Sequence, residues 1–483
     1  MAVNMLAYAA PKPMSFLQRG LGIAHLQGLR LGKQTYRQML ESLPSLRDCH
    51  ITYSSEKFPE TFLPGDDIAP SEDPLLFFDM WNFPVDTEWF DHAVKKALCS
   101  GLPLYVYARY DDGERPALVK LPAVRDGAGG EQETARLTAP AGCFADLRDV
   151  VSVLRLFSNA FSLRFFNVLE VSRTGYFRKF SADKAKIAAE YAFLSAVPEA
   201  VRPWFPHVGE LVRNTAGASY EIEIIPSLDV GKSLLNGVFD NETTCAALLR
   251  QLESYLAACP KKRITTQEYR QAAAKAFLDK TRERAGAVCK LPVCGSLDRI
   301  CELFRLPSFR DFAEAYCRAL ERDIRTAPEQ ELVFSHGDLF FSNILFNPLS
   351  GGIKLVDPRG LNAGDVASGF LPAWYDLAKL SHSFLGGYDL IAYDLAEVRL
   401  RPDLTPGLHI PSLPGLLRLR NCFLNRLPAW KIPLRRLRLY EGSLFLSMLP
   451  LHADSPARMA CQLVRAVELY EYAVKGNEER GYN

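Results

Sequence analysis

The stretch FSHGDLFFSNILFNPLSGGIKLVDPRG, Phe334 to Gly360, constrains this chain more than any other. ELVFSHGD reads as a strand running into a loop. NILFN and GIKLVD are short apolar runs on either side of PLSGG, whose Pro and Gly signal a reversal, so the two runs pair as a β-hairpin. His336, Asp338, Asn343 and Asp357 sit at the ends of these strands, where core packing gives polar residues no purpose. The hairpin brings Asp338, Asn343 and Asp357 to loop ends of one small sheet. Two carboxylates and an amide are hard oxygen donors, suited to Mg²⁺, which takes one or two carboxylates beside phosphate oxygens and water.

The rest of the chain divides around RDGAGGEQETARLTAP, Arg125 to Pro140, which is rich in Gly and charge, has no apolar period and reads as a linker. Before it, PLLFFDMW and LPLYVYARY read as strands, with a helix between them capped by Asp86, and RYDDGERPALVKL as a hairpin around Asp112 and Gly113. Strand, helix, strand implies a small α/β unit. After the linker, FNVLEVSRTGYFRKFS folds into two antiparallel strands, the second ending near Lys179. SADKAKIAAEYAFLSAV follows as a helix capped by Ser181 or Asp183. SYEIEIIPS is a further strand, stopped at Pro226. Beyond Leu228 the pattern is mainly helical except in the opening stretch.

Composition excludes some classes of partner. Lys and Arg number 57 against 56 Asp and Glu, a formal net charge of +1, so nothing in the overall balance favours nucleic acid or an anionic membrane. The 11 cysteines are odd in number and scattered, and Cys289, Cys294 and Cys301 lack the spacing of a zinc site, so buried thiols in a reducing compartment are expected. No run approaches the length of a membrane helix, and the N-terminus lacks the pattern of a secretory leader. A cytoplasmic protein is the expectation.

The spacing within the opening stretch goes further. Asp338 and Asn343 are five residues apart, as in the kinase loop H-R-D-x-x-x-x-N, where Asp accepts the proton of the attacking hydroxyl and Asn holds metal. Asp357 stands after the hairpin, where the Asp of D-F-G would stand. The variant His336-Gly337-Asp338, with YDLAKLSHS downstream, resembles the aminoglycoside phosphotransferase and choline kinase branch of the protein-kinase-like superfamily. With DPRG and SLFLSMLPLHAD, the run is similar to kinases associated with bacterial capsule and surface-polysaccharide biosynthesis. The resemblance covers about Phe144 to Tyr472, roughly two thirds of the chain.

The resemblance implies a bilobal α+β fold: a small antiparallel sheet lobe over residues 144–228 and a mainly helical lobe over 229–483. A small α/β domain at 1–124 and a linker at 125–143 precede them. It implies ATP and Mg²⁺ as cofactors, with Asp338 catalytic and Asn343 and Asp357 holding metal. Lys179 would position the α/β-phosphates, supported by Glu190. The backbone of Glu223 and Ile224, in YEIEIIPS, would bind adenine. No G-x-G-x-x-G precedes the first small-lobe strand, so phosphate cover falls to Phe157–Asn167, through backbone amides with Ser158 or Ser162 as side-chain candidates.

Other residues keep two readings. His336 braces the loop or acts directly. Arg359 meets substrate or phosphate, or pairs with an acidic neighbour. Asp376 caps its helix or, as the resemblance implies, supports the catalytic loop. Arg418, Arg420, Arg426, Lys431, Arg435, Arg436 and Arg438 are helix-face residues with snorkelling stems or a surface for an anionic substrate. Residues 1–124 are expected to form an accessory or partner-binding domain, though Asp79, at a strand end in a region loosely similar to nucleotidyltransferases, leaves open a second active site. The expected function is an ATP-dependent kinase acting on a hydroxyl of a sugar or polyol. The alternatives are a nucleotide-binding scaffold without turnover and a bifunctional kinase and nucleotidyltransferase.

Overall fold

The run LLFF within Leu75–Asp79 is buried almost throughout because it is central in its sheet and covered on its faces, Phe78 packing on Tyr36 and Phe90 and Phe77 beside Tyr105 and Val119. The computed structural model describes residues 3–8, 26–47, 49–54, 75–100, 102–121, 134–160, 168–173, 175–361 and 365–476. It forms two compact units, Met1–Ser162 and Leu163–Asn483.

The first unit carries a six-stranded sheet of β1 (Val3–Tyr8), β2 (Cys49–Ser54), β3 (Leu75–Asp79), β4 (Leu104–Tyr110), β5 (Gly113–Leu121) and β6 (Ala135–Thr138), in the order β2-β1-β3-β5-β4-β6. Helix α1 (Thr87–Cys99) joins β3 to β4, with Asp86 accepting from the Trp89 amide at 2.9 Å and Phe90, Ala93, Val94 and Ala97 buried on one face. The expected hairpin forms, and its second strand β5 lies between β3 and β4, antiparallel to both.

Two boundaries differ from expectation. Part of the supposed linker is β6, paired in parallel with β4, where Arg136 lies 4.0 Å over the Tyr107 ring. Four residues are too few to show a strand period, and a charged edge strand resembles a loop in composition. Phe144–Asp146, expected to open the small lobe, pairs with Asn82–Pro84 in the first unit. Phe157–Ala160 ends the helix Val150–Ala160 of that unit, so this part of the expected phosphate cover is helical. Residues 161–167, including Ser162, and the side chain of Ser158 lie outside the described residues.

In the second unit, β7 (Val168–Arg173), β8 (Tyr176–Ser181), β9 (Val208–Arg213) and β10 (Ala218–Glu223) form an antiparallel sheet in the order β7-β8-β10-β9. Helix α2 (Lys184–Ser195) follows β8 and is capped by Asp183, whose carboxylate accepts from the Lys186 amide at 3.0 Å. The expected hairpin is present: β14 (Ile344–Phe346) and β15 (Ile353–Leu355) pair, and β11 (Leu228–Asp229) extends them. Beside it β13 (Glu331–Phe334) pairs with β12 (Lys261–Arg263) and β16 (Phe370–Leu371).

The rest of this unit is mainly helical and includes α3 (Glu242–Ala258), α4 (Lys280–Val288), α5 (Phe309–Thr326), α6 (Trp374–Phe384), α7 (Leu434–Met448) and α8 (Pro456–Tyr470). One apolar core runs from Ile187 and Phe193 on α2 through Phe334 and Leu355 to Phe445 and Leu463. Helix α5 shows how its stripe forms: Ser308 caps it, and Phe309, Phe312, Ala313, Tyr316, Leu320 and Ile324 recur on the buried face. Among the described residues no helix is long and apolar enough to cross a membrane.

Gly360 ties the segment after β15 to α2. Its φ is +85°, and a Cβ there would lie 2.8 Å from the Ala189 carbonyl carbon, while the next amide, of Leu361, donates to Ala189 O at 3.0 Å. Gly360→Ala is therefore expected to lower stability by roughly 2 kcal/mol. Gly286→Ala, inside α4 with no atom near a new Cβ, should raise it by about 1 kcal/mol. Urea unfolding of both variants checks the pair of signs, and a neutral Gly360→Ala would refute the docking of this segment on α2.

Candidate active site

Lys179, on β8, is the electrostatic centre of the second unit. Its Nζ lies 2.5 Å from Glu190 Oε1 of α2 and also pairs with Asp357, beyond β15. The Tyr220 hydroxyl, on β10, donates to the same Glu190 oxygen. Burial works against the ammonium charge, yet Asp357 and Glu190 together hold the Lys179 pKa above its ordinary value. The side chains of Lys179 and Glu190 are 5% and 4% exposed but that of Asp357 is 51% exposed, so the triad is anchored inside and opens at Asp357. Burial would raise the Asp357 pKa, and Lys179 reverses this and holds it low.

Asp357 has a φ of +54°, left-handed backbone that few non-Gly residues adopt. The adjoining chain holds it there: the Arg359 amide donates to His336 O at 3.0 Å and the Val356 amide to Asn343 O at 3.0 Å. Asn343 Nδ2 donates to the Asp338 carbonyl at 2.8 Å and lies 3.4 Å from Asp338 Oδ2. This leaves Asn343 Oδ1 with no hydrogen-bond donor among the described residues. A half-exposed carboxylate and an uncommitted amide oxygen fit a hard divalent cation.

The loop carrying Asp338 is held from behind. Both Asp376 oxygens accept backbone amides, His336 N at 2.8 Å and Gly337 N at 2.9 Å. Asp376 lies in the first turn of α6, whose N-cap is Ala373, so its carboxylate serves the loop and does not cap the helix. Burial pushes the Asp376 pKa up to about 7 although both amides favour the carboxylate. His336 is fully buried, with Nε2 2.9 Å from Val356 O and Nδ1 3.3 Å from the Asp338 amide. One ring nitrogen donates and the other accepts, which assigns a neutral tautomer. Burial lowers the His336 pKa to about 4. Its bonds brace the loop.

Lys379, one helical turn after Asp376 on α6, escaped the sequence reading. Its buried Nζ lies 2.7 Å from Asp338 Oδ1. The usable signal was the spacing of Asp and Lys in YDLAKLSHS, which puts both on one helix face. Tyr220 escaped as well, because a Tyr in a strand reads as core.

Other expectations change. The strand β10 is interior to its sheet, and the amides of Glu223 and Ile224 already donate to His207 O at 2.9 Å and Gly175 O at 2.8 Å. The next amide, of Ile225, has no acceptor among the described residues. Arg359 is exposed with its guanidinium 5.7 Å over the Tyr375 ring, and no acidic partner among the described residues. The late arginines are largely committed: Arg436 to Asp323 and Glu329, Arg438 to Glu441, Arg435 to carbonyls of Ala473 and Val474, and Arg426 to Glu253 at 3.5 Å. Arg435 and Arg436 tie α7 to other segments, and these pairings take four of the seven cations out of the anionic-substrate surface considered for them. In the first unit Asp79 accepts from the Trp81 amide at 3.1 Å, Asn82 Nδ2 at 2.9 Å and Arg148 at 3.0 Å. A carboxylate bound in this way organises its own loop. Among the described residues no cluster of His, Cys, Asp and Glu could hold a metal by itself, and the cysteines are free thiols.

No family model matches the chain, and no curated protein matches it in sequence. Solved structures similar to it include a thermostable mutant of aminoglycoside phosphotransferase APH(4)-Ia, at 14% identity and TM-score 0.38, over 63% of this chain and 89% of that one. Another is an ethanolamine kinase of Plasmodium vivax, at 15% identity and TM-score 0.34, over 63% of this chain and 79% of that one. A choline kinase of Cryptosporidium parvum is at 13% identity and TM-score 0.32, over 65% of this chain and 88% of that one. At these values the functional reading rests on the site geometry.

The His336 shift has a checkable sign. Below pH 6.5 the unfolded chain protonates this imidazole while the folded chain refuses the proton until about pH 4, so stability from this group declines as pH falls across that window, by ~3 kcal/mol in total. The raised Asp376 carboxylate acts in the opposite sense, so the comparison is between wild type and His336→Gln. The stability deficit of the variant should shrink by about that amount between pH 7 and pH 4. A deficit independent of pH would show that His336 is not held neutral.

Proposed function

We propose that this protein is a nucleoside-triphosphate-dependent phosphotransferase that phosphorylates a hydroxyl of a small molecule. One observation carries the reading: Lys179 with Glu190, Asn343 with Asp338, and Asp357 converge from a sheet, a helix and a hairpin of one compact unit. Structural packing alone gives no reason to aim the half-exposed carboxylate of Asp357 at a lysine already paired inside with Glu190.

In this reading Asp338 receives the proton of the acceptor hydroxyl as its oxygen bonds to the γ-phosphorus. The bond from γ-phosphorus to the bridging oxygen breaks, and the diphosphate leaves. Lys379 counters the charge on Asp338 and fixes its orientation. Lys179 would turn from Asp357 towards phosphate oxygens while keeping Glu190. A divalent cation, held by Asp357 and Asn343 Oδ1, would supply charge neutralisation for the phosphates. Such catalysis is mainly positioning and electrostatics, so few residues suffice. The unbonded amide of Ile225, beyond Glu223 and Ile224, is the group offered to a base edge. We take ATP and Mg²⁺ as the reactants to test first. A sugar or polyol acceptor, with a role in surface polysaccharide, belongs to the same proposal.

The test is acceptor-dependent release of ADP by purified protein with ATP and Mg²⁺, over sugars, polyols and amino alcohols. Asp338→Asn should lower turnover at least about a hundredfold while nucleotide binding, read by calorimetry, persists. Turnover near wild type in that variant would remove Asp338 from the mechanism.

A further inference from the structure

Positive charge collects beside Asp338, where two of three cations have no carboxylate partner among the described residues. Lys280, at the start of α4, donates to the Tyr375 hydroxyl at 2.6 Å, and its Nζ lies 5.3 Å from the centre of that ring. Arg359 lies over the same ring, and a Cβ on Gly337, the neighbour of Asp338, would meet Arg359 Cβ at 2.8 Å. Lys379 completes the group and pairs with Asp338. Burial lowers the Lys280 pKa, with Lys379 and Arg359 adding to the effect and Tyr375 opposing it. Burial would raise the Tyr375 pKa, but Lys280, Lys379 and Arg359 together hold its hydroxyl below the ordinary value.

The nearby acids do not balance these cations. Asp338 is taken by Lys379, and both Asp376 oxygens are taken by amides. Asp279 lies 3.8 Å from Arg282. Among the described residues no carboxylate is in ion-pair range of Lys280 or Arg359, and the undescribed residues nearest Arg359 in sequence, Asn362, Ala363 and Gly364, carry no acid. The segment Ala274–Asp279 before Lys280 is a π-helix, a departure from the α-helical ladder that occurs often at functional sites. A half-buried lysine whose partner is a neutral phenol is an electrostatic cost unless an anion offsets it.

We propose that Lys280 and Arg359, gathered on Tyr375, bind an anionic group of the acceptor, a carboxylate or a phosphate monoester, close to the hydroxyl presented to Asp338. The acceptor class is then an acidic or already phosphorylated sugar or polyol. This rests on the phosphotransferase reading for its hydroxyl but not for its anion.

The test uses matched acceptors: glycerol, glycerate and glycerol 3-phosphate, then glucose, glucuronate and glucose 6-phosphate, with ethanolamine as the cation. Turnover is read as ADP release, and binding of glucuronate and glucose 6-phosphate by calorimetry in the presence of ADP. Wild type should prefer at least one anionic member over its neutral partner. In Arg359→Gln, an exposed change that leaves the core intact, and in Lys280→Met, that preference in kcat/KM should fall by about tenfold or more. Lys280→Arg should restore part of it. Equal or better use of the neutral or cationic members overturns the anion site and leaves the kinase reading standing. Anion binding that depends on Lys280 and Arg359, with no ADP released for any acceptor, does the reverse. Anion binding and preference unchanged in both variants also overturns the assignment.

Discussion

The ammonium of Lys179 sets the geometry of the second unit. Its pair with Glu190 is buried, and removing either member would leave a charge in an apolar setting, a change that typically costs about 3–5 kcal/mol. The sheet supplies the lysine, α2 supplies Glu190, and the chain leaving the hairpin supplies Asp357. A segment 178 residues further along the chain is thereby fixed to a strand and helix that are neighbours in sequence. The backbone bond from Leu361 to Ala189 and the close approach of Gly360 repeat the attachment a few residues later.

Around this point the acidic residues divide by exposure. Asp376 lies inside and spends both oxygens on the amides of His336 and Gly337. Asp338 and Asp357 reach the surface of the site, each with one lysine. His336 connects the two sets, since its ring contacts Val356 on one side and the Asp338 amide on the other. A protonated ring would have a donor facing that amide, so keeping His336 neutral also keeps Asp338 in place.

Much of this site was legible in the sequence because it depends on local order. The hairpin β14–β15, the five-residue step from Asp338 to Asn343, and the order of Lys179 and Glu190 are properties of short segments. What was not legible depends on distant packing. Lys379 reads as one more helical charge until α6 is laid behind the loop carrying Asp338. Arg436 on α7 resembles part of a charged surface until Asp323 and Glu329 appear beside it. Ala135–Thr138 was hidden by its length, since its pairing with β4 is decided by the sheet and not by its own four residues. That the amides of Glu223 and Ile224 are already bonded was not legible, because a strand's pairing on its second side cannot be read from its own pattern.

The left-handed backbone of Asp357 narrows what mutation can offer at that position. Only Gly, Asn and Asp enter this conformation at low cost, and of the three only Asp carries a charge. Glutamate would keep the charge but not the backbone, and asparagine the backbone but not the charge. Most protein carboxylates have a conservative neighbour in sequence space through which a lineage can drift. This one has none, so backbone shape and electrostatics fix the same letter independently.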